Sequence, residues 1–140
     1  MARSIGLDVG SKRIGYAVSD ELGIIASPVG VIRRASYNRD AAAIADLVEA
    51  NEAERVVVGL PIGLSGADTR QTGRVRQFAD MLSTRLRVPV DLWDERFTTK
   101  MAVRIVGRER RDEGAAALIL QGYLDANSGL PRVGESELQG

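Results

Sequence analysis

Between Arg55 and Pro61 the chain reads as an unbroken apolar, β-branched run, Arg55-Val56-Val57-Val58-Gly59-Leu60-Pro61. A strand with one wet face alternates apolar and polar side chains. A strand without that alternation has to be covered on both faces, as in the middle of a parallel sheet flanked by helices. Pro61 ends it, and the segments on either side supply what such a sheet requires. Ile5-Gly6-Leu7-Asp8-Val9 is a second short apolar run, and Arg13 to Ser19 alternates after a break at Gly10-Ser11-Lys12, so two adjacent strands are expected. Asp20-Glu21-Leu22-Gly23 reads as a tight turn into a third strand from Ile24 to Ile32, which Pro28 assigns to an edge.

Helical spacing takes over from Asp40 to Asn51, with Ile44, Leu47 and Val48 on one side and Ser36 or Asn38 as the cap. A second helix is expected from Asp68 or Thr69, with Val75, Phe78, Ala79, Leu82 and Leu86 as its apolar stripe. Val88 to Asp94 makes a fifth strand. Two more helical stretches follow, 98–106 and Asp112 to Asp125. The expected fold is a single α/β domain over residues 1–126, a five-stranded mixed sheet made of a three-strand meander and two parallel strands, flanked by helices. The tail 127–140 reads as flexible.

Composition narrows the chemistry. The chain has no Cys and no His, which excludes disulfides, thiolate metal sites, cysteine nucleophiles and imidazole catalysis. Proton transfer would have to use carboxylates, Lys, Tyr or a metal-activated water. The start, Met1-Ala2-Arg3-Ser4, leads into a strand without an apolar leader, and no window reaches 18 apolar residues, so a cytoplasmic location and no membrane partner are expected. The formal net charge is zero, yet Arg70 to Arg111 holds eleven Arg and Lys against five Asp and Glu. That segregated +6 suits a polyanion.

Three acids stand where chemistry could sit. Asp8 lies inside an apolar strand, where a carboxylate needs a partner or a cation. Taken alone, an ion pair with Arg13 or a turn cap explains it as well. Asp94-Glu95-Arg96 closes another central strand, at the end where parallel sheets present their ligands; for Asp94, a helix cap is the simpler reading. Asp112 opens a small-residue helix, a position the helix dipole favours for any acid. Together, three carboxylates are the hard oxygen ligands that Mg²⁺ or Mn²⁺ selects for phosphoryl chemistry.

Asp8-x-Gly10-x-x-Arg13-x-Gly15, Val58-Gly59-Leu60-Pro61, Arg74-x-Arg76-x-Phe78, Asp94-Glu95-Arg96-Phe97-Thr98-Thr99 and Asp112-x-x-Ala115-Ala116-x-x-Ile119-Leu120-x-x-Tyr123-Leu124 occur in that order. With these motifs, from about residue 3 to 125, the chain resembles the RuvX (YqgF) family. The resemblance implies a ribonuclease H-like fold and a nuclease dependent on Mg²⁺ or Mn²⁺, with Asp8, Glu95 and Asp112 as the catalytic, metal-binding acids. Lys12, Arg13, Arg74, Arg76 and Arg96 are the phosphate contacts it implies. The nucleic-acid partner implied is a structured precursor of small-subunit ribosomal RNA, processed at its 5′ end, or in the alternative a branched DNA junction. Two features depart from the family pattern: a short segment between Glu95 and Asp112, and Gly63 where an Asn is common. A non-catalytic RNA-binding module is a second alternative. An actin-like or sugar-kinase-like phosphotransfer domain also opens on Asp-x-Gly, but it needs two lobes where 140 residues supply one. Nothing in the sequence speaks to oligomeric state.

Overall fold

In the computed structural model, residues 3–63, 65–97 and 112–127 are described. Strands β1 (Arg3–Val9) and β2 (Arg13–Ser19) form the expected antiparallel pair, and the break between them closes through a Gly10 N–H donated to the Arg13 carbonyl at 2.8 Å. Strand β3 (Ala26–Arg33) begins two residues later than the sequence suggests. The Asp20 carboxylate accepts the amides of Ile24 and Ile25 at 2.7 and 3.0 Å, so these two residues finish the turn and do not pair in the sheet. Pro28 does lie on an edge strand. Its neighbour Val29 is the extra residue of a bulge, since Tyr16 pairs with Gly30 and Ala17 with Pro28.

Helix α1 (Tyr37–Ala50) starts three residues ahead of expectation, because Ser36 is the cap that forms: its side chain accepts the Arg39 N–H at 3.2 Å. Asp40 therefore falls in the first turn, where it is 2% exposed, pairs with Arg34 at 3.3 Å and accepts the Ala35 amide at 3.0 Å. Strand β4 (Ala53–Leu60) runs parallel to both β1 and β5 (Val90–Asp94), giving the order β3-β2-β1-β4-β5. Val56, Val57 and Val58 are fully buried, as an unalternating central strand demands. Helix α2 (Arg70–Arg85) is opened by a reciprocal capping box between Thr69 and Thr72. Among the described residues, a short 3₁₀ turn, Glu95–Phe97, and helix α3 (Asp112–Ala126) complete the order of elements. The expected helix 98–106 and the tail 128–140 lie outside the described residues.

The sheet separates two apolar layers. Ile5, Leu7 and Val9 of β1 point toward α1 and α2 with Ile44, Val48, Phe78 and Leu82, while Ala17 and Val57 face α3 through Ala116, Leu120 and Leu124. Strand alternation then puts Asp8 on the α3 side. The far half of α3 is tied to β5: the Tyr123 hydroxyl donates to Asp91 at 2.7 Å, Asp91 also pairs with Arg55, and the Tyr123 ring stands edge-on to Trp93. Among the described residues no helix is long and apolar enough to cross a membrane.

Candidate active site at the carboxyl edge of the sheet

Asp8 is flanked by glycine on both sides. Gly15 of β2 is its antiparallel partner, and on β4 Gly59 follows Val58 as Asp8 follows Leu7, the partner of Val58. A Cβ at Gly15 would overlap the backbone carbonyl of Asp112 and stand 2.7 Å from the Glu113 nitrogen. A Cβ at Gly59 would overlap Ile119 and stand 2.9 Å from Glu95 Oε1. The two glycines thus admit different parts of their neighbours: Gly15 makes room for the backbone of Asp112 at the start of α3, and Gly59 makes room for the Glu95 carboxylate beside Asp8.

Glu95 sits at the start of the 3₁₀ turn and leans back over Gly59. Burial, followed by the negative charges of Asp8 and Asp94, raises its pKa to about 7. Asp94 caps the 3₁₀ turn: it accepts the Arg96 amide at 2.9 Å and pairs with the Arg96 guanidinium at 2.7 Å. That side-chain hydrogen bond holds the Asp94 carboxyl below its usual range.

Asp112, at the first turn of α3, pairs with Arg13 Nε at 2.8 Å. Asp8 and Glu95 therefore feel one another's charge, whereas the Asp112 carboxylate is held by a cation. Among the described residues no three carboxylates form one cluster. Asp8 and Glu95 are hard oxygen donors, and the raised pKa of Glu95 reflects burial first and the charges of Asp8 and Asp94 second. Two such donors are of the kind that a hard divalent cation takes.

The strain has a measurable sign. A carboxyl whose folded pKa lies above its unfolded value favours the folded state at low pH. Its ionisation costs stability progressively between about 4.5, the ordinary value, and about 7. With a chelator present at pH 8, Glu95→Gln should stabilise the fold by about 1–2 kcal/mol, less than full linkage because the carboxyl is partly solvated. Near the unperturbed pKa of a glutamate the gain should vanish. Urea denaturation at both pH values measures it, and a variant less stable than its parent at pH 8 would contradict the burial of Glu95 beside Asp8 and Asp94.

The five implied phosphate contacts divide by partner. Arg13, Arg76 and Arg96 are engaged with Asp112, Asp68 and Asp94. Among the described residues Lys12 and Arg74 make no ion pair; Arg74 projects from the first turns of α2 into a cavity beside the β1–β2 loop. Arg34 was not among the sequence candidates. It stacks over Phe78 at 4.9 Å, pairs with buried Asp40 and donates to the Gly10 carbonyl at 2.9 Å, so it braces the loop that follows Asp8. No local pattern announces it, because its partners come from the β1–β2 loop, α1 and α2.

Residues 2–126 match the family model described as RuvX: Holliday junction resolvase. A Myxococcus xanthus protein named "Putative pre-16S rRNA nuclease" is 44% identical, over 89% of this chain and 89% of its own. A Syntrophus aciditrophicus protein of the same name is also 44% identical, over 90% of each chain. Among solved structures, T. thermophilus RuvC in complex with Holliday junction substrate aligns with a TM-score of 0.61 at 17% identity, covering 92% of this chain and 97% of that one. The yeast mitochondrial Holliday junction resolvase aligns at 0.56 and 14% identity, covering 98% and 84%. At such identities the two structures speak to the fold alone, and that fold is the expected ribonuclease H-like arrangement. On sequence, the chain belongs to the RuvX family.

Proposed function

We propose that this chain is a divalent-metal-dependent nuclease that hydrolyses phosphodiesters of structured RNA, with the 5′ end of the small-subunit ribosomal RNA precursor as its substrate. The observation that carries the reading is the approach of Glu95 to Asp8 across the gap left by Gly59, at the carboxyl edge of the sheet. The names of relatives at 44% identity support the RNA substrate.

Asp8 and Glu95 would hold the cation. When bound, Mg²⁺ or Mn²⁺ supplies an acidified water nucleophile and Lewis-acid neutralisation of the transferring phosphoryl group. The rest is done by the chain's own residues. β1 and the 3₁₀ turn fix the two carboxylates on a rigid edge, so the reacting phosphate meets oriented groups. Arg13, with its side chain 64% exposed, can trade Asp112 for a substrate phosphate, which frees Asp112 to join the other acids. No histidine is needed.

Cleavage of precursor ribosomal RNA and of a four-way DNA junction, side by side with one preparation, tests the reading. The precursor should be cut only when Mg²⁺ or Mn²⁺ is added. Cutting of the junction alone would replace the RNA reading with a resolvase. Binding of RNA without cutting would leave a non-catalytic module.

A further inference from the structure

On the opposite side of β1 from Asp8, a cavity of about 260 Å³ opens between the β1–β2 loop and the first turns of α2. Val9 and Val75 form its floor, and both are buried. Its polar lining is Ser11, Gln71, Arg34 and Arg74, with no carboxylate among the lining residues. The donors outnumber the acceptors, and the charge balance is positive. Arg34 is compensated by Asp40, whereas Arg74 makes no ion pair among the described residues. Arg34 is also pre-organised: its bonds to Asp40 and to the Gly10 carbonyl, and its stacking on Phe78, fix one wall before anything binds. The volume lies below the roughly 300–1,000 Å³ of pockets that enclose a whole small-molecule ligand. It suits a single tetrahedral anion with its water.

The cavity touches Val9, the residue after Asp8, so the end of β1 offers the candidate metal ligand on one side and this donor-lined hollow on the other. We infer that the cavity is a second phosphate subsite, which takes a phosphodiester of the substrate strand next to the one cleaved, through Arg74, Gln71 and Ser11 against the fixed Arg34 wall. The strand then bends over the Gly10-Ser11 loop, and the cavity sets where along the backbone the scissile phosphate stops. The subsite rests on the nuclease reading for its role, but its binding can be measured without cleavage.

The test uses the full chain carrying Asp8→Asn, which removes turnover, and measures its affinity for a short single-stranded RNA as a function of salt. Adding Arg74→Ala should weaken binding about tenfold and lower the slope of log affinity against log salt by about one. Gln71→Glu should weaken it as well. An acid in the first turn of α2 favours the helix dipole, so that loss cannot be charged to unfolding. Arg87→Ala removes the same charge beyond the far end of α2 and should leave the slope unchanged. Equal effects of Arg74→Ala and Arg87→Ala, or undiminished binding by Gln71→Glu, would overturn the subsite. Failure of the unsubstituted chain to cleave RNA with Mg²⁺ or Mn²⁺ added, with these binding differences intact, would instead refute the nuclease reading and leave a phosphate-binding cavity.

Discussion

Asp8→Asn should yield a protein that folds and binds RNA but cleaves it on the order of 1,000-fold more slowly, or not at all. Asn keeps the shape of the side chain and gives up the negative charge that a divalent cation needs. The same change removes one of the two charges that raise the Glu95 pKa, so that pKa should fall in the variant. Loss of cleavage without loss of stability separates a chemical role from a structural one. Unchanged cleavage would take Asp8 out of the mechanism, and a marked drop in stability would make it a structural acid.

Gly15→Ala should cost about 3 kcal/mol of stability and most of the cleavage activity. The new Cβ would overlap the Asp112 carbonyl, which is backbone in the first turn of α3 and cannot rotate away as a side chain can. The helix would have to lift from β2, parting Ala116 and Leu120 from Ala17 and Val57 and drawing Asp112 away from Arg13. Gly73→Ala is the matched control. It lies within α2 with nothing inside 4 Å of its Cβ, so it should stabilise by about 0.5–1 kcal/mol. Urea denaturation measures both. A Gly15→Ala variant as stable as the parent would mean that α3 does not approach β2 as closely as described.

The architecture could be read from residues whose demands are local. Val56 to Val58 require cover on both faces, Pro28 excludes a central position, and Thr69 caps whatever helix follows it. The misplaced boundaries have local causes with competitors nearby. Ser36 and Asn38 both cap helices, and only the fold selects Ser36; Asp20 reaches forward to Ile24 and Ile25 because the β2–β3 turn brings them within range. The acids Asp8, Glu95 and Asp112 were legible as motif positions.

What could not be read was who pairs with whom. The surplus of Arg between Arg70 and Arg111 suggests a polyanion, yet Arg76 and Arg96 are held by Asp68 and Asp94, and Arg13 by Asp112. Arg34, which looks like surface charge beside Arg33, ends on a buried Asp40. Partner choice depends on tertiary geometry that residue counts do not carry. Gly59 carries a signal that went unread: an isolated glycine in a β-branched run marks close approach, and what approaches is Ile119 together with Glu95.

The claim on which the account turns is that Asp8 and Glu95 hold one divalent cation between them. Calorimetric titration of Mn²⁺ into the full chain at pH 7.5, repeated with Asp8→Asn and with Glu95→Gln, measures it directly. The account predicts binding by the parent with release of less than one proton per ion, as the remaining protonated Glu95 ionises, and loss of that binding in either variant. Equal Mn²⁺ affinity in the parent and both variants would contradict it.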